Sequence, residues 1–195
     1  MNKMRYTIVA FASPDIQKKL EAFRKQFGIE WNASARKKHC ILKDTAHLAV
    51  KRTFLLRRGK REEELVDRIS ALSVGGEISV HCAEVGVFAD TAYGEVIYVR
   101  AARNPQLEQL HMDIKQKVED LIETKSENAE GKNYIPHVTL AYDFPKDKVA
   151  AAQQYINREI CPVDFSIRQI VLLRDYDVEK DGREIVYIWS LIRRR

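Results

Sequence analysis

The sequence predicts an α+β fold: two pseudo-symmetric lobes of antiparallel sheet with outer helices around a central cleft. Three observations predict it. Short runs rich in β-branched and aromatic residues alternate with amphipathic stretches at helical spacing, turn-like breaks separate them, and a histidine in strand context occurs twice, at His47 and His137. The two histidines are 90 positions apart, close to half of the 195-residue chain, as one histidine per lobe requires.

The elements follow in order. "RYTIVAFA" (5–12) has strand composition, and the next stretch offers Ser13 as N-cap, Pro14 at the first helical position and Gly28 as a stop. "HCILKDTAHLAVKRTFLL" (39–56) reads as strand, and "REEELVDRISAL" (61–72) as a helix with Leu65, Ile69 and Leu72 on one face, closed by Gly75 and Gly76. "EISVHCAEVGVFA" (77–89) and "GEVIYVRAA" (94–102) read as two strands joined through "DTAYG", a hairpin or near-hairpin connection. A long helix is predicted over 104–124, with Asn104 as cap, Pro105 in its first turn, and Leu107, Leu110, Ile114, Val118 and Leu121 as its apolar stripe. "KSENAEGKN" is a polar loop, "IPHVTLAY" (135–142) a strand and 147–159 a helix. "VDFSIRQIVLLRDY" (163–176) reads as one strand, "EKDG" as a turn and "EIVYIWSLI" (184–192) as the last strand. No Pro/Gly/Ser-rich linker separates halves, so 1–195 is expected to be a single bilobal domain.

Composition excludes two classes. With 45% hydrophobic and 31% charged residues the chain is globular rather than disordered, and no apolar run approaches a membrane span. The apolar run near the N-terminus lasts only about seven residues and leads into a helix pattern, so it is read as the first strand and not as a signal peptide. Cys40, Cys82 and Cys161 form no CxxC pair, and their odd number argues against a disulfide framework and for a reducing cytoplasm. Thirty-three basic against 28 acidic residues give +5, which favours a polyanionic partner such as RNA or a nucleotide. The densest basic clusters, "KRTFLLRRGKR" and the closing "RRR", fit solvated surface as well as they fit an RNA groove.

Alternation along "IPHVTLAY" puts Val138, Leu140 and Tyr142 on one face and His137, Thr139 and Ala141 on the other. An imidazole and a hydroxyl thus stand about 7 Å apart on the non-core face. In "TAHLAVKRTF" the same rule places Leu48, Val50, Arg52 and Phe54 in the core and His47, Ala49, Lys51 and Thr53 opposite them. The remaining histidines, His39, His81 and His111, lack this pattern and are expected to be structural or surface residues.

"HLA" at 47–49 and "HVT" at 137–139 resemble the paired H-x-T/S motifs of the two-histidine (2H) phosphoesterase superfamily, which includes the 2'-5' RNA ligases, also called RNA 2',3'-cyclic phosphodiesterases. "ISVHCAEVGVF" and "FSIRQIVLLRDYDVEKDGREIVYIWSL" are similar to the segment before the central strand pair and to the closing hairpin of that family, so the resemblance spans nearly the whole chain. It implies a LigT-like fold and a phosphoesterase that uses His47 and His137 as its acid/base pair, with Thr139 on the phosphate and neither metal nor cofactor. The implied substrate is RNA or a nucleotide carrying a 2',3'-cyclic phosphate or a 2'-5' linkage. No membrane and no obligate protein partner are implied.

The chain departs from the family at Ala49, where the motif has a hydroxyl. Losing one donor to a charged phosphate oxygen costs about 1.5–3 kcal/mol, and Lys51 is expected to compensate through a charge-assisted contact. The alternative is a non-enzymatic RNA- or nucleotide-binding protein on the same scaffold, its first motif impaired by Ala49.

The chemistry itself explains two histidines. Opening a cyclic phosphate needs one group to take a proton from water and another to give one to the departing ribose oxygen, and imidazole does both near neutral pH. Attack is in line, so the two imidazoles must flank the phosphorus. The chain has no H-E-x-x-H, paired-cysteine or clustered-carboxylate pattern that would ligate a metal.

Overall fold

A computed structural model describes residues 4–31, 45–72, 76–91, 94–123, 131–175 and 183–192. His39, Cys40, Gly75, the "EKDG" turn and the closing "RRR" lie outside the described residues. The strands are β1 (Arg5–Ala10), β2 (Leu48–Leu56), β3 (Ile78–Thr91), β4 (Gly94–Ala101), β5 (Ile122–Glu123), β6 (His137–Phe144), β7 (Val163–Ile167), β8 (Gln169–Asp175) and β9 (Arg183–Ser190). The helices are α1 (Pro14–Glu30), α2 (Glu62–Ser70), α3 (Pro105–Val118) and α4 (Val149–Glu159). The fold is α+β, as the sequence predicts.

The strands pair antiparallel in the order β7-β3-β4-β6-β2-β1-β8-β9, with the two-residue β5 pairing to β2. The order is symmetric about its centre. β6, β4, β3 and β7 run outward from the seam on one side, and β2, β1, β8 and β9 run outward on the other. The apolar faces of the four helices pack on one face of this sheet, with Leu20, Phe27, Leu65, Leu107, Ile114 and Ile156 in a shared core with Ile8, Leu48, Ile97 and Val138.

The described part of the predicted 39–56 strand is strand only from Leu48, so His47 lies just before β2. Three further elements differ from expectation, each for a tertiary reason. α1 runs past Gly28 to Glu30, because Phe27 is fully buried and stacks on Phe144 of β6, 5.5 Å between ring centroids, while Trp31 packs beside them. That aromatic burial outweighs the modest helix cost of one glycine. α3 stops at Val118, because Ile122 and Glu123 pair with Leu56 and Leu55 of β2. The predicted strand over 163–176 is two strands serving opposite lobes: β7 pairs with β3, and β8 pairs with β1. The break is at Arg168, where two successive exposed residues, Arg168 and Gln169, interrupt the alternation of buried and outward positions.

Candidate active site

Within β2 and β6 the two lobes repeat each other residue by residue. Leu48, Ala49, Lys51 and Phe54 pair with Ala10, Val9, Ile8 and Tyr6, with two register shifts along the way. Val138, Thr139, Ala141 and Phe144 pair with Val99, Tyr98, Ile97 and Glu95, again with two shifts. Each residue of the second set lies 90 positions after its counterpart in the first, so both strands carry the same double bulge. An inserted residue rotates the strand after it and re-aims its side chains.

The bulge corrects the expectation for Lys51. Strict alternation puts Lys51 on the histidine face, but it pairs with the core residue Ile8, is 1% exposed, and has Nζ 5.9 Å from the centroid of the core ring Phe54. Its counterpart in the other lobe is the fully buried Ala141. Arg52, expected in the core, is instead exposed, and Thr53 stays on the histidine face, where its hydroxyl meets that of Thr7 at 3.0 Å. The bulge has exchanged the burial of the two cations. A sequence clue existed: an arginine at a nominal core position of an alternating strand signals that the alternation fails there.

His47 and His137 each precede the residue that joins the lobes, Leu48 paired with Val138. That pair brings the two histidines, one from each lobe, to the same seam. Both are half-buried, as is Thr139.

The two imidazoles are oriented alike. His47 Nδ1 donates to the Thr45 carbonyl at 3.1 Å, and His137 Nδ1 donates to the Ile135 carbonyl at 2.7 Å, in each case two residues upstream. A carbonyl can only accept, so both neutral rings are fixed as the Nδ1–H tautomer with the lone pair on Nε2. In this tautomer Nε2 is the basic nitrogen of each ring.

His137 has further packing that the sequence did not reveal. Phe88 meets it edge-on at 5.0 Å between centroids, and Tyr98 lies against it at 4.9 Å. Gly86, opposite Tyr98, makes room for the phenol, since a Cβ at position 86 would collide with the Tyr98 ring. Burial holds the His137 pKa below its ordinary 6.5; the bond to Ile135 opposes that shift and the Arg52 charge adds to it. Arg52 thus acts electrostatically on this imidazole from the other lobe.

A family model for the 2'-5' RNA ligase superfamily matches residues 12–179. The chain belongs to the 2'-5' RNA ligase superfamily. Solved structures agree with the superfamily fold. A structure described as a phosphoesterase covers 98% of this chain and 100% of its own at TM-score 0.68 and 13% identity. Escherichia coli LigT complexed with 3'-AMP covers 98% and 100% at TM-score 0.67 and 13% identity. Kluyveromyces marxianus Usb1 covers 97% and 98% at TM-score 0.52 and 11% identity. No curated protein matches the sequence. Among the described residues, no helix is long and apolar enough to cross a membrane.

Proposed function

We propose that this 2'-5' RNA ligase superfamily member hydrolyses the 2',3'-cyclic phosphate of RNA or of a nucleotide, or acts on a 2'-5' linkage, by general acid/base catalysis from His47 and His137. One observation carries the proposal. Two histidines, one from each lobe, are held by carbonyls in the tautomer that puts the lone pair on Nε2. The 3'-AMP in the E. coli LigT structure supports a nucleotide ligand for this fold.

In the hydrolytic direction His137, kept neutral by burial and by Arg52, takes a proton from water at Nε2. The water oxygen bonds to phosphorus, the bond from phosphorus to one ribose oxygen breaks, and His47, protonated on both nitrogens, gives its Nε2 proton to that oxygen. The Thr139 hydroxyl and the Arg52 guanidinium hold the non-bridging oxygens as charge grows there. Arg52 takes the part expected of Lys51 and offsets the hydroxyl missing at Ala49. The whole chain, 1–195, acts as one bilobal unit, and the free thiols of Cys82 and Cys161 fit a reducing cytoplasm.

The test is hydrolysis of an oligoribonucleotide ending in a 2',3'-cyclic phosphate, in EDTA, by wild type and by His137→Ala. Turnover by wild type alone supports the two-histidine reaction. Ala49 favours a second reading, an RNA- or nucleotide-binding protein without turnover, and tight binding of the same oligonucleotide by a folded but inactive wild type would establish it.

A further inference from the structure

His111 and Tyr134 touch the backbone of β2 just after His47, and Tyr134 lies three residues before His137 in the chain. His111, on α3, is 1% exposed; its Nδ1 donates to the Val50 carbonyl at 2.7 Å, and its Nε2 accepts from the Gly131 amide at 3.0 Å. Gly131 has φ +62, a conformation that suits glycine and turns its N–H toward the imidazole. The Tyr134 ring lies flat on His111, 3.9 Å between centroids and 4° between planes, and its hydroxyl donates to the Ala49 carbonyl at 3.0 Å.

The two carbonyls explain why the pair is there. Leu48 opposite Val138 is the one described ladder pair between β2 and β6. Beyond it the β2 carbonyls of Ala49 and Val50 take side-chain donors in place of β6 backbone donors, because a buried carbonyl without a partner is costly. Both belong to the bulged stretch immediately after His47. Tyr134 also immediately precedes Ile135, whose carbonyl orients His137. One short segment, Tyr134 to His137, therefore grips the strand that follows His47 at one end and aims His137 at the other.

We propose that Tyr134 and His111 form a positioning clamp that holds the His47 strand in register with the segment presenting His137. Neither residue touches substrate. The clamp rests on the proposed two-histidine reaction for its role in turnover, but its effect on the imidazoles is measurable without substrate. His111 is fully engaged as a neutral ring, and it is not a third acid or base.

Tyr134→Phe removes the bond to Ala49 and keeps the stacked ring, so it is the first variant to make. The expected result is a kcat lower by about ten- to a hundredfold, with KM and the unfolding temperature little changed. Imidazole nitrogen NMR of the same variant without substrate is expected to show a reduced Nδ1–H tautomer fraction at both His47 and His137. If Tyr134→Phe does not fold, His111→Phe, which keeps the stack without its two hydrogen bonds, takes its place. Unchanged tautomer fractions at both histidines, or a change confined to His137, would overturn the clamp. Absence of turnover in wild type would count against the proposed reaction only, since the NMR comparison still decides the clamp.

Discussion

Leu48 and Val138 lie directly opposite each other at the seam of the sheet, and each is preceded in the chain by one of the two histidines. From that pair outward the lobes repeat: β2 matches β6, β1 matches β4, β8 matches β3 and β9 matches β7. The seam brings together residues 90 positions apart, and each histidine stands just before the same double bulge.

The histidines themselves come first. His47→Ala and His137→Ala should each remove hydrolysis almost completely while leaving thermal unfolding little changed, because the proposed reaction needs both groups as a pair. A variant that unfolds would mark its histidine as a core residue.

The exchanged cations give a paired test. Lys51→Met should leave kcat/KM within a fewfold of wild type, because Lys51 is buried opposite Ile8. Arg52→Gln should lower kcat/KM by about ten- to a hundredfold, the cost of losing one charge-assisted contact. Steady-state kinetics of the two variants side by side decide between them, and the reverse pattern would restore Lys51 as the phosphate ligand.

The pH dependence has a definite sign. Burial and Arg52 depress the His137 pKa below 6.5, so the acidic limb of the kcat/KM profile should fall below that value and move upward in Arg52→Gln. The same shift makes the unfolded chain bind the proton more readily than the folded one. His137 therefore contributes stability that is complete above 6.5 and is lost as pH falls through the folded-state pKa. Thermal melts of wild type and His137→Gln over that range should converge on the acid side.

Gly86→Ala tests the packing around His137. The new methyl group collides with the Tyr98 ring, which is itself held between Phe88 and His137. The variant should lose about 1–3 kcal/mol of stability and should shift the His137 titration, read by NMR. A stability loss with an unmoved titration would mean that Tyr98 does not position the imidazole.

Phe144→Ala probes the contact between α1 and β6. Phe144 is 3% exposed and stacks on Phe27, so truncation should cost about 3–5 kcal/mol by denaturant melt. A cost under about 1 kcal/mol, no more than the helix penalty of one glycine, would mean that aromatic burial is not what carries α1 past Gly28.

Much of the fold was legible because local rules governed it. Pro14, Asn104 and Pro105 mark helix starts that the structure keeps, and Asn104 caps α3 by accepting from the amides of Gln106 and Leu107. The elements that misled are those decided by a distant partner. α3 ends early to let β5 pair with β2, and the strand after Cys161 divides because its two halves find partners in different lobes.

The sequence by itself determined that His47 and His137 hold equivalent places, each one residue before a member of the Leu48–Val138 pair, because similar local patterns impose similar local structure. It also determined that Thr139 shares a face with His137, because no bulge intervenes between them. Only the tertiary structure decided which cation is buried and which exposed, because the direction of Lys51 and Arg52 depends on where β2 slips against β1. It alone found His111 and Tyr134, since a clamp on the carbonyls of Ala49 and Val50 is a relation between segments 61 and 85 residues apart. Strand alternation is a local property of the backbone, whereas register is set by the neighbouring strand.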